Sequence, residues 1–390
     1  MRKGWEYKKL GEVLETTSGG TPSKSHKEYY EGGTIPWLRS GEVSKGDIYD
    51  AELYITEEGL KKSSAKLFPI DTVLIAMYGA TVGQVGILKS TMCTNQAICG
   101  ILPNKDFHPN FLKYVLLANK KNYLKQAIGG AQPNISQQVI KSTYIPIVKF
   151  SEQESVVSEL DKINELIRLK KEQLKDFDNL AQSIFYEMFG DPVENEMGWE
   201  VKKLGDNVEE MFLGPFGSAL KVDSYVPKED SYCMVYEQKH AIKKSINLEN
   251  HYINKEKFDS LKRFCVMPGD FIMSCRGTIG KLYQIPPGAP MGIIHPSLMK
   301  IRLKQNGYDS TYFNFMLVKI VAIESTNGNC VQMAITAKAL SKKELPLPPL
   351  PLQQLFAHRI DQIEHQKAEV QKAITDLETL LASRMQYWFE

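Results

Sequence analysis

The pattern of apolar and polar residues changes at Ser151, where an irregular pattern gives way to a heptad repeat. Apolar side chains then alternate at spacings of four and three residues, which is typical of a helix with a narrow apolar seam. Ser151 and Glu154 form a capping box at its predicted start, and Gly190, followed by Asp191 and Pro192, marks its predicted end. The predicted seam residues are Val156, Leu160, Ile163, Ile167, Leu174, Phe177, Ala181, Ile184 and Met188.

A second heptad helix is predicted over residues 351–390. Its register repeats that of the first helix with an offset of 200 residues, and Gln353 matches Gln153. Because each helix supplies an apolar seam that the other can cover, we predict that the two pack on each other. The ends of a domain usually lie close together, so the second helix should return along the first as an antiparallel intramolecular coiled coil. Its predicted seam residues are Phe356, Ile360, Ile363, Val370, Ile374, Leu377 and Leu381.

Each predicted helix follows a copy of the same cassette. The opening GWEYKKLG at residues 4–11 returns as GWEVKKLG at 198–205, and the exit IPI at 145–147 returns as LPL at 345–347. Self-similarity at a fixed period indicates a duplicated architecture. Between these motifs, strand-like runs such as TVLIAM at 72–77 alternate with helical patches, as expected of mixed α/β domains.

The predicted fold is therefore α+β: two mixed α/β domains, separated by two long antiparallel helices and related by an approximate two-fold axis. The predicted boundaries are 1–150 for the N-terminal domain, 151–190 for the first helix, 191–197 for a linker, 198–350 for the C-terminal domain and 351–390 for the second helix. The middle sections, 24–34 and 227–254, barely resemble each other. The two domains should accordingly share a scaffold and differ in what they bind.

Composition is that of a globular protein with room for at least two domains. The 390 residues are 43% hydrophobic and 24% charged. No apolar run reaches the roughly 18 residues of a membrane span, and the amino terminus lacks a signal-peptide stretch. We therefore expect a cytoplasmic protein without a membrane partner. The six cysteines form no Cys-x-x-Cys pair, so they should be reduced thiols rather than metal ligands or disulfides.

The net charge of +2 conceals an uneven distribution along the chain. Residues 1–150 carry 19 Lys and Arg against 13 Asp and Glu, and residues 198–350 carry 20 against 15. The helical segments are acidic, with 5 against 12 over 151–197 and 4 against 6 over 351–390. A polyanion such as nucleic acid would bind the two basic domains rather than the helices. Excesses of this size also occur in proteins with no such partner, so charge alone does not decide.

A glycine-rich turn occurs once in each domain. The first, Gly79 to Gly83, follows Tyr78 and contains Thr81, and the second, GTIG at 277–280, follows Arg276. Neither carries the Gly-Lys-Ser/Thr of a nucleotide-binding loop. Two interpretations stay open: a tight turn between two strands, or backbone amides that contact a DNA phosphate.

No motif of an enzyme active site was found in the sequence. The motifs of an amino-methyltransferase, a dinucleotide-binding fold, a zinc protease and a serine hydrolase are absent. The EQK run at 237–239 imitates part of a nuclease metal site, but it has no well-placed Asp partner. We therefore predict no catalytic residue and no metal ligand.

Polar and aromatic residues in loops are better suited to recognising DNA. Trp37 should belong to the core, whereas Arg39 is either a surface charge or a contact to a base edge. The amides of Gln132, Asn134, Gln137 and Gln138 suit adenine edges or phosphates, although a polar loop explains them equally well. The complete set of candidate DNA-contacting residues is Thr21, Ser23, Lys24, Arg39, Tyr78, Thr81, Gln132, Asn134, Gln137, Lys221, Lys239, Arg276, Thr278 and Lys281.

The order of these motifs, present twice, resembles the specificity subunit of type I restriction-modification systems over essentially the whole chain. The matching motifs are the WxxKKLG openings, SGGTPS at 18–23, IPW at 35–37, the glycine turns, and the exits followed by Gln153 and Gln353. The resemblance implies that each domain is a target recognition domain for one half of a bipartite duplex DNA target. It also implies that the helices set the spacing and dock two methyltransferase subunits.

The same resemblance assigns the chemistry to other subunits. The methyltransferases would bind S-adenosylmethionine and methylate adenine, and motor-nuclease subunits would use ATP and Mg to cleave DNA, with no cofactor in this chain. The second domain has GPFG at 214–217 where the first has GGTP at 19–22, so the two half-sites should differ in sequence.

Three alternatives stay open at this point. The chain could serve a related multi-subunit, type II-like restriction-methylation enzyme, or it could be a coiled-coil scaffold that binds only proteins. It could also be a nuclease or methyltransferase in its own right. Binding to duplex DNA that weakens steeply with salt separates a DNA reader from a scaffold. Activity of the isolated chain would support the enzyme alternative.

Overall fold

The computed structural model describes residues 2, 4–129, 133–326 and 336–390, with only the backbone for 323–326. The chain divides into two units. Unit 1 comprises Met1–Lys171 and Gln371–Glu390, and unit 2 comprises Glu172–Val370. Each unit therefore contains one mixed α/β module together with part of two long helices.

The module of unit 1 is built from two sheets and a closing strand pair. The sheets have the strand orders β2-β10-β7-β8-β4 and β5-β3-β9-β6, and the pair is β1-β11. The strands are β1 (Glu6–Lys9), β2 (Thr16–Ser18), β3 (Ile35–Leu38), β4 (Asp47–Ile48), β5 (Tyr54–Ile55), β6 (Leu67–Phe68), β7 (Val73–Ala76), β8 (Val85–Leu88), β9 (Met92–Thr94), β10 (Ile98–Ile101) and β11 (Tyr144–Ile147). The helices are α1 (Leu10–Val13), α2 (Glu57–Lys61), α3 (Pro109–Ala118), α4 (Lys120–Gln126), α5 (Gln137–Lys141) and the long α6 (Phe150–Phe189), which continues into unit 2.

The module of unit 2 repeats this plan. Its sheets have the strand orders β13-β20-β17-β18 and β15-β14-β19-β16, and its closing pair is β12-β21. The strands are β12 (Val201–Lys203), β13 (Val208–Leu213), β14 (Cys233–Tyr236), β15 (His251–Ile253), β16 (Cys265–Val266), β17 (Phe271–Ser274), β18 (Leu282–Gln284), β19 (Gly292–Ile294), β20 (Leu298–Leu303) and β21 (Glu344–Pro346). The helices are α7 (Gln238–Lys243), α8 (Lys255–Leu261), α9 (Ser310–Thr326), α10 (Ala337–Ser341) and the long α11 (Leu350–Phe389), which continues into unit 1.

Strand β7 shows why the middle of each module is a continuous apolar run. Successive side chains of a strand point to opposite faces of the sheet. Val73 and Ile75 belong to the core that includes α3 and α6, whereas Leu74 and Ala76 belong to a second core beneath the other sheet. All four residues are buried. A strand covered on both faces needs apolar residues at every position, so it cannot alternate with polar ones.

The repeated opening and exit motifs meet in space. β1 pairs antiparallel with β11, which places Glu6 opposite Ile147, and β12 pairs antiparallel with β21, which places Val201 opposite Pro346. Each pair therefore closes its module just before a long helix begins. This common role explains why the two motifs recur together in the sequence.

A buried glutamine fastens the start of each long helix to its module. Gln153 and Gln353 are both fully buried. The side-chain oxygen of Gln153 accepts a hydrogen bond from the backbone N–H of His108 at 2.8 Å, and its amide donates to the carbonyl of Asp106 at 2.8 Å. The side-chain oxygen of Gln353 likewise accepts from the backbone N–H of Asp309 at 2.8 Å. These bonds join each helix to the segment that leads into α3 or α9.

Replacing Gln153 with leucine should lower the unfolding free energy of unit 1 by about 1–3 kcal/mol, because buried backbone groups would lose their partners. Urea unfolding, followed by hydrogen exchange in unit 1, measures the change. The control is Gln126→Leu in the same unit, where the glutamine is exposed. Equal effects of the two substitutions would show that the buried bonds contribute nothing.

The seam residues predicted for the long helices are buried or half-buried at every position. Buried are Val156, Leu160, Ile163, Ile167, Ala181, Phe356, Ile360, Ile363, Val370 and Ile374. Half-buried are Leu174, Phe177, Ile184, Met188, Leu377 and Leu381. In unit 1, Val156 and Leu160 share a core with Leu381 and Trp388 of α11. The apolar seams thus serve the cores of the two units as well as the contact between the helices.

The last turns of α6 depart from the predicted heptad pattern. The buried residues there are Ala181, Phe185 and Phe189, which are spaced four apart, whereas Ile184 and Met188 are only half-buried. The reason is that the helix covers the core of unit 2 as well as α11. Its apolar stripe is accordingly wider than that of a helix with a single helical neighbour.

Candidate nucleic-acid interface

A depression of about 560 Å³, lined by both polar and apolar residues, opens on unit 1. It lies at the end of β3, between the loop that joins β9 to β10 and the segment that follows β2. Three of the predicted DNA-contacting residues, Thr21, Lys24 and Arg39, come together here. Its other polar lining residues are Lys27, Tyr30, Glu31, Asn95 and Gln96. The cations and amides give this surface the chemistry that phosphates and base edges require.

Two hydrogen bonds organise the floor and the rim of the depression. Trp37 is 4% exposed, as predicted for a core residue, and its indole N–H donates to the carbonyl of Gly20 at 2.9 Å. The hydroxyl of Thr21 hydrogen-bonds the side chain of Gln96. These contacts fix the segment after β2 against the β9–β10 loop.

Arg39 is an exposed residue with an orienting partner. Its Nη2 donates to the Oε2 of Glu52 at 2.6 Å, and its backbone N–H donates to the buried carboxylate of Glu42 at 3.1 Å. Lys45 contacts both carboxylates, at 3.1 Å and 3.3 Å. Surface ion pairs contribute little to stability, so the effect of Glu52 is to restrict where the guanidinium can point.

The first glycine turn connects β7 and β8, so its structural role is that of a hairpin turn. Gly79 and Gly83 have φ angles of +72° and +76°, which side chains other than glycine rarely adopt. Tyr78 forms a bridge with Asn134, and its side chain is 42% exposed. The hydroxyl of Thr81 donates to the carbonyl of Tyr78 at 3.1 Å. The turn, Tyr78 and Asn134 thus form one local surface.

The remaining candidates of unit 1 are less favourably placed. The amide of Gln137 donates to the hydroxyl of Thr16 at 2.7 Å, which occupies it within the module. Ser23 is exposed, and its hydroxyl hydrogen-bonds that of Ser25 at 2.7 Å. Gln132 lies outside the described residues.

In unit 2 the second glycine turn connects β17 and β18. The side-chain amide of Gln238, at the start of α7, donates to the carbonyl of Arg276 at 2.6 Å and to that of Thr278 at 3.3 Å. Arg276, Thr278 and Lys281 are exposed, and Lys239 follows Gln238 on α7. These four candidates therefore lie in one region. Lys221 is exposed in a different segment, between β13 and β14.

The EQK run of unit 2 does not have the arrangement of a nuclease metal site. The carboxylate of Glu237 contacts the Nζ of Lys239 at 2.7 Å and the Nδ1 of His251 at 3.0 Å. Burial would raise the pKa of Glu237, but the hydrogen bonds from Lys239 and His251 lower it overall. Among the residues that the structure describes, no cluster of three or more His, Cys, Asp or Glu could hold a metal ion.

An ionic cluster in the core of unit 2 was not predicted from the sequence. Asp270 is 1% exposed and binds Arg302 through both carboxylate oxygens, at 2.6 Å and 2.8 Å. Its Oδ2 also accepts from the backbone N–H of Met267 at 2.9 Å and lies 3.4 Å from the Nζ of Lys300. Lys300 is itself buried and pairs with Glu210.

Unit 1 has no counterpart of this cluster at the matching strand positions. Thr72 precedes β7 as Asp270 precedes β17, and Gly100 occupies the position in β10 that Lys300 occupies in β20. A Cβ at Gly100 would lie 2.4 Å from the ring of Phe68. The first module therefore fills with an aromatic ring the space that the second fills with charges.

The profile of the family described as "Type I restriction modification DNA specificity domain" matches residues 2–176 and 197–379. The chain belongs to this family. Each of the two matched segments covers one module and the beginning of the long helix that follows it. The duplication seen in the sequence and in the strand topology is therefore a duplication of this family's domain. Among the described residues, no helix has the length and apolarity needed to cross a membrane.

Curated proteins and a solved structure show the same similarity. The chain is 32% identical over 224 residues to the type I restriction enzyme MjaIX specificity subunit of Methanocaldococcus jannaschii, covering 52% of this chain and 51% of that protein. It is 30% identical over 166 residues to the EcoR124I/EcoR124II specificity subunit of Escherichia coli, covering 41% of each. The alignments thus span about half the length of these relatives. A solved chain from a type I R-M system matches 100% of this chain and 98% of its own length, with 21% identity and a TM-score of 0.67, which shows a common fold.

Proposed function

We propose that the protein is the non-catalytic DNA sequence-specificity subunit of a type I restriction-modification enzyme. The modules, residues 1–150 and 198–350, act as target recognition domains, and each binds one half of a bipartite duplex DNA target. The observation that carries the proposal is the family match to both modules. The grouping of cations and amides on the surface of each module supports it.

The long helices, residues 151–190 and 351–390, form an antiparallel coiled coil that sets the distance between half-sites, with 191–197 as a linker. The contacts within each unit support this arrangement. In unit 1, Lys171 pairs with Glu378 at 2.8 Å, and Glu159 pairs with Arg384. Residue numbers therefore increase along α6 while those of the partners on α11 decrease, as in an antiparallel pair. If an approximate two-fold axis relates the two modules, their half-sites are inverted with respect to each other, and one target base then lies on each DNA strand.

The chemistry of the assembled enzyme belongs to its other subunits. Two methyltransferase subunits dock on the helices and supply S-adenosylmethionine and adenine methylation. Motor-nuclease subunits supply ATP hydrolysis and Mg-dependent cleavage. The specificity subunit contributes only the choice of DNA sequence, which accounts for the many polar loop residues and the lack of an enzyme motif in its sequence.

Exchanging the N-terminal target recognition domain tests this proposal. Residues 1–150 are replaced by the corresponding module of a homologue, and methylated DNA is sequenced from cells that express the complete system. Because each module binds its own half-site, one half of the methylated sequence should change while the other half and the spacer stay the same. The matched experiment exchanges residues 198–350 and should alter the opposite half. Changes in both halves, or in neither, would contradict modular recognition.

A further inference from the structure

The loop between β9 and β10 is held by a specific set of backbone hydrogen bonds. The N–H of Asn95 donates to the carbonyl of Leu38, at the end of β3, at 2.9 Å. The carbonyl of Asn95 accepts from the N–H of Ile98 at 3.3 Å. Its side-chain Oδ1 also accepts from the N–H of Ala97 at 3.2 Å, so the residue closes its own turn.

The loop between β19 and β20 has the same bonds around a different side chain. The N–H of His295 donates to the carbonyl of Tyr236, at the end of β14, at 2.8 Å. The carbonyl of His295 accepts from the N–H of Leu298 at 3.0 Å. The ring Nδ1 accepts from the N–H of Ser297 at 3.2 Å. Asn95 and His295 therefore occupy one position of a duplicated frame.

The next bond along the frame is duplicated as well. The N–H of Met77 donates to the carbonyl of Ala97 at 2.8 Å, and the N–H of Cys275 donates to the carbonyl of Ser297 at 2.9 Å. Met77 and Cys275 directly precede the residues that open the two glycine turns. Each module thus connects this loop to its glycine turn in the same way.

The two side chains differ in type but share one property. In each turn the side chain acts as an acceptor, through the Oδ1 of Asn95 and the Nδ1 of His295. Each side chain therefore keeps an N–H donor that the turn does not use: the amide NH2 of Asn95 and the Nε2–H of His295. Burial lowers the pKa of His295, so a neutral ring with this tautomer is expected near neutral pH.

Charged residues, including cations that suit DNA, lie near both positions. Asn95 lines the depression of unit 1 together with Lys24 and Arg39. His295 lies within electrostatic reach of Arg276 and of Glu237. Both side chains are half-buried, so they combine a fixed position with access from outside.

We propose that Asn95 and His295 are matched specificity-determining residues, each donating a hydrogen bond to a base edge in its own half-site. The acceptors available in the major groove are N7 and O6 of guanine, N7 of adenine and O4 of thymine. Cytosine offers a donor there instead, so each position selects against it. This inference rests on the proposed function and extends it from modules to single residues.

The test uses the assembled complex of this chain with its methyltransferase subunits and a library of duplexes randomised in both half-sites. Asn95→Asp keeps the acceptor that closes the turn and removes the NH2 donor. It should reduce discrimination at one base pair of the N-terminal half-site by about 2- to 12-fold, the size of one hydrogen bond. Asn122→Asp, which introduces the same charge at an exposed amide of unit 1, should leave the preferred sequence unchanged.

A second variant covers the other module. His295→Asp keeps an acceptor that can close the turn and removes the N–H donor, so it should reduce discrimination at one position of the C-terminal half-site only. If the wild-type complex selects no bipartite sequence, the proposed function fails. If the wild-type complex selects one and Asn95→Asp or His295→Asp, properly assembled, selects the same sequence equally well, the matched-residue proposal is overturned. A change spread over both half-sites also overturns it.

Discussion

Replacing Phe185 with alanine is expected to lower the unfolding free energy of unit 2 by about 3–5 kcal/mol, the usual cost of removing a buried ring. Phe185 is 3% exposed, and its ring centroid lies 5.4–5.9 Å from those of Phe189, Tyr312, Phe315 and Phe356. The substitution therefore removes the common contact of α6, α9 and α11. Native-state hydrogen exchange in urea, read on the peptides of unit 2, measures the loss.

Leu180→Ala is the matched control, because Leu180 is on the same helix and is 46% exposed. It should change the free energy of unfolding much less than Phe185→Ala. Comparable losses would mean that the aromatic contacts do not stabilise unit 2. A loss confined to unit 1 would contradict the placement of Phe185 in the core of unit 2.

Replacing Asp270 with alanine should also destabilise unit 2 by up to about 3–5 kcal/mol, because the buried Lys300 and the half-buried Arg302 lose this carboxylate and keep only that of Glu210. Lys300 retains its contact with Glu210, but Arg302 loses a bidentate carboxylate. The backbone N–H of Met267 loses its acceptor as well. Urea unfolding combined with hydrogen exchange in β17 and β20 measures the effect.

The double variant Asp270→Ala/Lys300→Met should recover part of that loss, since it removes a buried charge together with its counter-charge. Asp259→Ala is the surface control. Asp259 pairs with Lys255 in an exposed (i, i+4) ion pair, so its removal should have little effect. A double variant less stable than Asp270→Ala would show that Lys300 stabilises unit 2 independently of Asp270.

The long helices and the mixed α/β character of the modules could be predicted because periodicity is a local property of sequence. Every predicted seam residue is at least half-buried. The sequence could not show that Phe185 would be more buried than Ile184, because the heptad pattern considers only one neighbouring helix. The aromatic side chains of α9 lie more than 100 residues away along the chain, and no local pattern connects them with α6.

The candidate interface was predictable only in part, for a similar reason. Thr21 and Arg39 are among the candidates predicted from the sequence. Asn95 and Gln96 join them because β3 pairs in parallel with β9, which places Leu38 opposite Thr94. Parallel neighbours are far apart in sequence, and neither strand indicates its partner. The amide of Gln137 looked available in the sequence, but Thr16 occupies it.

Asn95 and His295 lie 200 residues apart, which is the offset that also relates the two long helices, so the repeat pairs them. The sequence does not show that both side chains accept a hydrogen bond from the backbone N–H two residues later, which only the structure reveals. The ionic cluster of Asp270 has no equivalent in the repeat. Asp270 stands where the first module has Thr72, and Lys300 where it has Gly100, so comparison of the two copies does not indicate the cluster.

The division of the long helices between the units has a consequence for the order in which the protein folds during synthesis. Domains generally fold as they leave the ribosome, beginning with the N-terminal one. Here the ring of Trp388 stacks on that of Trp5 at 6.0 Å, and the ring of Phe389 lies 5.7 Å from that of Phe111. The module made first therefore has to wait for residues 371–390 to complete its core, while unit 2 is a continuous stretch of chain. A premature stop within α11 would damage the module at the opposite end of the sequence.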